Sequence, residues 1–249
     1  MSFVTTARRW LATNSSRVYL ERFLQQAARQ LPPGSRVLDA GAGDCRYAGL
    51  FQHTNYVAVD FAKVAKPYGA LDVIADLVHL PFPSAYFDAI ICTQVLEHLP
   101  KPQIALGELH RLLRPGGKLW LTAPLYYEEH EVPFDFYRYT RFGLDHLLSA
   151  VGFQITSLTP LEGYWGTLAY QWRSAAYQLP WILPSSYGNP IVRLVSIPFL
   201  ITMKLMLASA SVFATHVDLR YYDTSRWHCK NYKVEAYKPD RPHRALQQQ

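Results

Sequence analysis

Residues 36–60 read RVLDAGAGDCRYAGLFQHTNYVAVD, and this stretch decides the fold. The apolar run before the glycine-rich turn 41–43 predicts a strand, and a helix is predicted over 45–51. The apolar run 56–59 predicts a second strand, which ends on Asp60. A strand, a glycine-rich turn, a helix and a second strand in this order indicate a parallel sheet with right-handed crossovers.

The same alternation continues on both sides of this stretch. Helices are predicted over 17–30, 101–113 and 141–150, and further strands over 72–75, 87–92, 118–122, 153–158 and 231–237. Strands that are buried on both faces of a parallel sheet consist of continuous apolar runs, and the strands predicted here have that composition. The fold class is therefore α/β, with a doubly wound and mostly parallel sheet.

Composition supports a folded chain with an uneven distribution of charge. The 249 residues include 25 Lys and Arg against 19 Asp and Glu, a net charge of +6, and 49% are hydrophobic. The charge is +4 over residues 1–40, +4 over residues 220–249 and −2 between them. This separation argues against one continuous nucleic-acid-binding stripe, so no nucleic-acid partner is expected. The basic ends are either solvated tails or contacts for anionic headgroups.

Cysteine usage and the first residues bear on the compartment. Cys45, Cys92 and Cys229 are odd in number and far apart, which suggests neither a disulfide framework nor a zinc site, and no metal site is predicted. No apolar segment follows the Arg8–Arg9 pair, so no secretory signal is predicted. These features predict a protein of the reducing cytoplasm.

The glycine-rich turn is typical of a nucleoside-binding site. Gly41 and Gly43 allow the backbone to pass close to a ligand, and Asp60 ends the second strand where its carboxylate can accept hydrogen bonds from two ribose hydroxyls. A dinucleotide-binding turn would carry a third glycine, whereas this chain has Arg46 there. A nucleoside without a pyrophosphate is the better fit.

Four ordered blocks of sequence carry a family resemblance. VLDAGAGDCRYAGLF (37–51), YVAVD (56–60), ADLVHLPFPSAYFDAIICTQVLEHL (75–99) and ELHRLLRPGGKLWLTAP (108–124) resemble the class I S-adenosylmethionine-dependent methyltransferases, in particular the small-molecule branch that includes ubiquinone and menaquinone methyltransferases. The resemblance covers about residues 35–124. It implies a Rossmann-like sheet of seven strands with the last one antiparallel, and S-adenosyl-L-methionine as the cofactor.

The resemblance also implies which residues hold the cofactor. Asp39, Gly41 and Gly43 would shape the pocket around the methionine part. Asp60 and its neighbour Phe61 would hold the ribose and flank the adenine.

Three later positions complete the implied cofactor site. Asp76 and Leu77 would meet the edge of the adenine, and Gln94 would line the mouth through which the methyl group is transferred. Each assignment has a simpler alternative: Asp39 as a residue that caps its own turn, and Asp60 as a solvated acid at the end of a strand.

The polar and aromatic loop after the fifth predicted strand, residues 126–140, is where a general base is expected. His130 is the first candidate for this catalytic role and Tyr137 the second. The alternative for this loop is an Asp135–Arg138 ion pair that fastens it in place, with its tyrosines packed. A histidine at position 98 is expected to be a structural hydrogen-bonding residue.

A hydrophobic insertion interrupts the α/β pattern before the last strand. Residues 194–214 contain a single charge, Lys204, and are long enough to span a membrane, but the mid-span lysine and Pro198 argue against that interpretation. At 100° per residue the polar side chains form one narrow stripe, made of Arg193, Lys204, Ser211, Thr215 and Asp218. The segment is thus predicted to lie in a membrane interface or to cover an apolar pocket, with a core helix or a dimer face as the alternative.

Four residues before this helix are of the aromatic types that are enriched at the headgroup level of a membrane: Trp172, Tyr177, Trp181 and Tyr187. An anionic membrane surface is accordingly the predicted partner of residues 191–218 and the basic ends, and the protein is expected in the cytoplasm at the inner face of a membrane. The predicted domains are an N-terminal helical segment (1–34), a methyltransferase domain (35–161 with 226–238), an insertion (162–225) and a polar tail (239–249).

The predicted function is methyl transfer to a small, hydrophobic or lipid-linked acceptor. Methylases that attack exocyclic nitrogens of bases resemble one another in an Asp/Asn-Pro-Pro-aromatic block after the fourth strand, and this chain has TQVL over residues 93–96 instead. Two other functions stay open: a non-catalytic cofactor-binding or membrane-associated interaction protein, and a nicotinamide-dependent reductase.

Overall fold

A computed structural model describes residues 13–240, apart from the side chain of Tyr187. The helices are α1 (Ser15–Arg29), α2 (Pro102–Leu112), α3 (Arg141–Ala150), α4 (Tyr164–Gln178) and α5 (Pro190–Tyr221). The strands are β1 (Arg36–Ala40), β2 (Asn55–Asp60), β3 (Val73–Ile74), β4 (Phe87–Thr93), β5 (Leu113–Pro124), β6 (Gln154–Pro160) and β7 (Asn231–Tyr237). The predictions for residues 1–12 and 241–249, which include part of both basic ends, lie outside the described residues.

The seven strands form one sheet in the order β3-β2-β1-β4-β5-β7-β6. Strands β1 to β5 run parallel, and β7 runs antiparallel between β5 and β6. This confirms the predicted α/β class with a doubly wound, mostly parallel sheet. Because the winding reverses between β1 and β4, a ligand crevice is expected at the carboxyl ends of these two strands.

The core lies on both faces of the central strands. The side chains of Leu38, Ile90 and Leu119, on the adjacent strands β1, β4 and β5, are fully buried. Helix α2 buries Leu106 and Leu109 from its apolar face. Each such side chain contributes roughly 1.5–3 kcal/mol of hydrophobic stabilisation, which fixes the strand ends that carry the candidate site.

Three elements differ from their predicted form. The helix predicted over 45–51 is only the 3-10 turn Ala48–Phe51, because Cys45 has a φ of +54° and cannot belong to a right-handed helix. The third strand is reduced to Val73–Ile74. Strand β5 begins at Leu113 rather than at residue 118, since the RPGG segment bulges inside it.

The described chain divides into two compact units. One contains the sheet with most of its helices, residues 20–161 and 231–240, and the other contains residues 13–19 and 162–230. In the second unit α4 and α5 pack antiparallel: Ser211 Oγ donates a hydrogen bond to the Ala169 carbonyl, and Lys204 Nζ donates one to the Ala176 carbonyl. We call this pair of helices, residues 164–221, the helical hairpin.

Helix α5 is highly apolar but mostly exposed to solvent. It has 32 residues and a mean hydropathy of 1.9 over its most apolar stretch, of which only 6% is buried. By length and composition it is the one helix within residues 13–240 that could cross a membrane. The alternative of an ordinary core helix therefore does not describe α5.

Candidate functional site

The glycine-rich turn connects the ends of the first two strands. Gly41 has a φ of +88°, and a Cβ added there would lie 2.3 Å from Val95 Cγ2, so only glycine fits. Its N–H donates to the Val59 carbonyl on β2. Gly43, at a φ of +53°, donates its N–H to Asp60 Oδ2 at 3.0 Å. The structure thus brings together three of the predicted cofactor residues.

Asp60 is 5% exposed and is held at the carboxyl end of β2 by the backbone. Its second oxygen, Oδ1, accepts the N–H of Ala62 at 3.1 Å. Each carboxylate oxygen can accept two hydrogen bonds, so both retain capacity for a ligand. The neighbouring Phe61 lies edge-on to Phe134, with ring centroids 5.3 Å apart, which links this end of the sheet to the loop 125–140.

Asp39 is buried in β1 and accepts a hydrogen bond from the hydroxyl of Tyr56 on β2. Burial raises the pKa of this carboxyl to about 7, although the hydrogen bond from Tyr56 opposes the shift, and the nearby carboxylates of Asp60 and Asp44 add to it. A residue that only caps its own turn, the alternative given for Asp39, would not make this contact to a neighbouring strand. Sequence reasoning missed Tyr56, whose role becomes visible only once the register of β1 against β2 is known.

The raised pKa of Asp39 predicts a pH-dependent stability. The folded protein retains this proton between about pH 4 and pH 7, where the unfolded chain has already released it, so the free energy of unfolding falls as the pH rises. In the Asp39→Asn variant this side chain is neutral at every pH, so its free energy of unfolding should not fall in this way. We expect urea titrations to show the variant gaining roughly 2 kcal/mol on wild type between pH 5 and pH 8. Parallel stability curves for the two proteins would contradict the prediction.

Within residues 13–240, no hydrogen bond joins the other three predicted cofactor residues, Asp76, Leu77 and Gln94, to the turn 41–43 or to Asp60. Asp76 is exposed, and its Oδ1 accepts the N–H of Val78 at 3.2 Å. Leu77 is buried. Gln94 follows β4 with a φ of +56°, and its Nε2 donates to Thr122 Oγ1 at 3.1 Å. The left-handed backbone turns the chain directly after β4, at the sheet edge where the crevice is expected.

The loop 125–140 is fastened by an ion pair. Arg138 donates to both carboxylate oxygens of Asp135, at 2.7 and 2.8 Å, and also to the carbonyls of Tyr127 and Glu128. The guanidinium holds the pKa of the Asp135 carboxyl well below its usual range. These contacts agree with the alternative given above, in which Asp135 and Arg138 form an ion pair that fastens the loop.

The two candidate catalytic residues differ in their surroundings. His130 is partly buried, and its Nδ1 lies 3.2 Å from the carbonyl oxygen of Glu128 and 3.3 Å from Asp135 Oδ2, oxygens that can orient the imidazole for proton transfer. Tyr137 is 40% exposed, and its hydroxyl donates to the carbonyl of Pro100. The geometry therefore favours His130 over Tyr137 as the base.

Sequence reasoning missed a buried carboxyl beside this loop. Glu97 lies in the 3-10 turn Leu96–His98 after β4, is fully buried, and has no hydrogen-bond partner within residues 13–240 for either side-chain oxygen. Burial raises the pKa of this carboxyl to about 8. Its carbonyl accepts the N–H of Phe136, which joins the loop to the turn. The only sequence signal was its place in the segment TQVLEHL (93–99), directly after the fourth predicted strand.

Part of this chain is similar in sequence to known methyltransferases. Residues 38–121 match a family described as a methyltransferase domain. A tRNA (carboxymethyluridine(34)-5-O)-methyltransferase of Arabidopsis thaliana is 35% identical over 99 residues, which cover 37% of this chain and 24% of that protein. A ubiquinone biosynthesis O-methyltransferase of Xanthomonas axonopodis pv. citri (strain 306) is 28% identical over 142 residues, which cover 48% of this chain and 58% of that protein. The chain thus spans between about a quarter and three fifths of these relatives.

Among solved structures, a 1,6-didemethyltoxoflavin-N1-methyltransferase of Burkholderia thailandensis with bound S-adenosylhomocysteine matches with a TM-score of 0.52. The match covers 96% of this chain and 84% of that one, at 18% identity. At this identity the likeness concerns the fold.

Proposed function

Because residues 38–121 belong to a class I S-adenosylmethionine-dependent methyltransferase domain, we propose that this chain transfers a methyl group from S-adenosyl-L-methionine to a small apolar acceptor at a membrane surface. The observation that carries the proposal is the buried Asp60 carboxylate, fixed beside a turn in which Gly41 permits no side chain.

The chemistry of the donor set fits the cofactor. Asp60 offers acceptors for two ribose hydroxyls, and the ring of Phe61 offers an apolar surface for the adenine. Asp39 and the two glycines of the turn would surround the methionine part, which carries both an amino group and a carboxylate. Asp76, Leu77 and Gln94 would complete the site at the ends of the next two strands.

The bound cofactor supplies a methyl group on a positively charged sulfur, ready for in-line displacement. Such a reaction asks the protein for alignment and for exclusion of water rather than for a covalent nucleophile. The loop 125–140, secured by Arg138 and packed through Phe134 against Phe61, is placed to exclude water. Where the acceptor must lose a proton, His130 would take it at Nε2 while Asp135 orients the ring at Nδ1.

The helical hairpin supports an apolar acceptor and a membrane location. The predicted polar stripe of α5 faces α4: Ser211, Thr215 and Asp218 are buried. At 100° per residue the large exposed apolar side chains of α5 fall within an arc of about 180° on the opposite side. They are Ile191, Val192, Leu194, Val195, Phe199, Ile201, Leu205, Met206 and Phe213. We call this arc the apolar face.

This arrangement is the reverse of an ordinary amphipathic surface helix, which buries its apolar side. The two helices instead meet through small and hydroxyl-bearing residues, among them Gly166 and Ala169 of α4 and Ser211 of α5, as helices do in lipid. Exposed apolar surface of this extent marks an interaction site, and a bilayer suits a face that carries no charge between residues 191 and 213 and whose exposed hydroxyl-bearing residues are Thr202 and Ser209.

Lys204 is compatible with a position near lipid because its ammonium group already has partners within the protein. Its Nζ donates to the carbonyl of Ala176 at the end of α4 and lies 4.7 Å from the centroid of the Trp181 ring. A cation at the C-terminal end of a helix is stabilised by the helix dipole. The mid-span lysine, which argues against a membrane span in the sequence, thus leaves the apolar face uncharged.

A nucleic-acid acceptor is the second candidate, because one of the relatives is named a tRNA methyltransferase. Both acceptor classes are distinguished by one experiment. The purified chain is incubated with methyl-labelled S-adenosyl-L-methionine and, separately, with total lipid extract, quinone precursors and bulk tRNA. We expect label in the lipid or quinone fraction. Label in tRNA alone would overturn the apolar acceptor, and binding of the cofactor without label anywhere would favour the non-catalytic interpretation.

A further inference from the structure

Three ligand-type side chains converge beside the loop that covers the candidate cofactor site. Glu97, His98 and His130 each offer one donor atom, and these atoms all lie within 4.8 Å of one another. Glu97 and His98 come from the turn after β4, and His130 comes from the loop 125–140. Two segments more than 30 residues apart in sequence thus bring their donors to one place. We call these three residues the His–Glu cluster.

Both imidazoles have Nδ1 engaged by an oxygen outside the cluster. His98 Nδ1 lies 2.6 Å from the carbonyl oxygen of Phe134, and His130 Nδ1 lies 3.2 Å from the carbonyl oxygen of Glu128 and 3.3 Å from Asp135 Oδ2. An imidazole that donates from Nδ1 carries its lone pair on Nε2. Outer oxygen partners of this kind are the usual support of metal-bound histidines, because they fix the tautomer and the ring orientation.

The carboxyl of Glu97 provides the independent observation. It is fully buried, and in the described part of the chain neither oxygen has a hydrogen-bond partner, although buried polar atoms are nearly always satisfied. Its Oε1 lies 3.9 Å from His98 Nε2. A cation between these atoms would give the carboxylate the partner that it lacks.

We propose that the His–Glu cluster binds one divalent transition-metal ion of the zinc class. Two imidazoles and one carboxylate form a donor set that suits Zn²⁺ and leaves a fourth position open. Donors at about 2.1 Å from a tetrahedral ion are roughly 3.4 Å apart, so the contact between Glu97 and His98 must shorten by about half an ångström. His130 must move further, and it lies on a loop.

The charges around the cluster agree with a bound cation. Glu131 Oε2 lies 3.9 Å from His98 Nε2, while its Oε1 accepts a hydrogen bond from Lys66 at 2.7 Å. Glu131 can therefore approach the ion without losing its ion pair. Arg138 neutralises Asp135, the outer partner of His130. Glu97 and Glu131 are then the acidic groups left to balance the divalent charge.

Direct binding measurements on the full chain test the proposal. Protein stripped of metal is titrated with Zn²⁺ by calorimetry, and with Co²⁺ while its visible absorption is recorded, both without S-adenosyl-L-methionine. We expect one equivalent to bind, with Co²⁺ giving a tetrahedral spectrum. Glu97→Gln and His98→Ala should each weaken Zn²⁺ binding at least 100-fold, whereas His146→Ala, which removes an exposed histidine on α3, should leave it unchanged.

A thermal-unfolding readout separates ligand loss from misfolding. Zn²⁺ should raise the Tm of wild type and of His146→Ala but not that of Glu97→Gln, whose side chain has the same shape as the original. Less than one equivalent bound by wild type, or equal weakening in His146→Ala, would overturn the site. The proposal does not rest on cofactor binding, which is measured on a separate sample and can succeed or fail independently. It replaces the role of His130 as the general base, because Nε2 cannot hold the ion and take a proton at the same time.

Discussion

Replacing Asp60 by Ala is expected to weaken the binding of S-adenosyl-L-methionine at least 100-fold. The carboxylate is placed to accept two ribose hydroxyls, and hydrogen bonds to a charged group contribute about 1.5–3 kcal/mol each. The substitution also frees the N–H groups of Gly43 and Ala62, which hold the turn beside the ligand. Titration calorimetry with the cofactor and with S-adenosylhomocysteine measures the effect.

Two further variants make the result specific. Asp60→Asn retains a carbonyl acceptor of the same size and should lose less affinity than Asp60→Ala. Asp145→Ala removes an exposed carboxylate on α3 and should bind the cofactor as wild type does. Unchanged affinity in Asp60→Ala, or binding of NADH in place of S-adenosyl-L-methionine, would remove the cofactor assignment.

The central fold was predictable because its signals are local. Apolar runs that end in a glycine-rich turn and in Asp60 specify β1 and β2, and their alternation with helices specifies the parallel sheet. The prediction of a helix over 45–51 failed because Cys45 adopts a left-handed conformation, which no local pattern revealed. The bulge within β5 depends on pairing with β4 and is likewise invisible along a single segment.

The candidate site was only partly predictable, since its chemistry depends on residues that are distant in sequence. The turn glycines and Asp60 follow a recognisable spacing, but the close approach of Val95 to Gly41 requires the fold. The burial of Glu97 and the hydrogen bond from Tyr56 to Asp39 also arise only when segments meet. The spacing of the three cysteines indicates no metal site, and it carries no information on the approach of Glu97 to His98 and His130.

The orientation of α5 in the helical hairpin could not be predicted, for a third reason. Helical periodicity correctly groups the polar residues of α5 on one side, but periodicity cannot tell which side is buried. In the structure Ser211 and Asp218 are buried and Lys204 bonds to α4, while the apolar face is exposed. Only the partner helix determines this orientation, since α4 covers the polar stripe and leaves the apolar face exposed.

Introducing charge on the apolar face is expected to abolish membrane association. The triple variant Leu194→Glu, Val195→Glu and Phe199→Glu changes side chains that are 63–68% exposed, so the fold of the hairpin should tolerate it. Each glutamate removes an apolar contact with lipid and adds a charge that is repelled by anionic headgroups. In vesicle flotation we expect wild type to rise with anionic liposomes and the variant to remain at the bottom, a reduction of more than tenfold in the bound fraction.

A matched triple variant on the sheet unit identifies the surface responsible. Ile74, Ile104 and Phe142 are 52–70% exposed, and their replacement by Glu adds the same charge without touching α5. We expect this control to float as wild type does. Salt separates the two sources of attraction: binding through the apolar face persists at 0.5 M NaCl, whereas binding through the basic ends alone is screened. If intact protein fails to float with any liposome, or both triple variants are lost equally, the apolar face is not a membrane contact and must serve the acceptor pocket or a second copy of the chain.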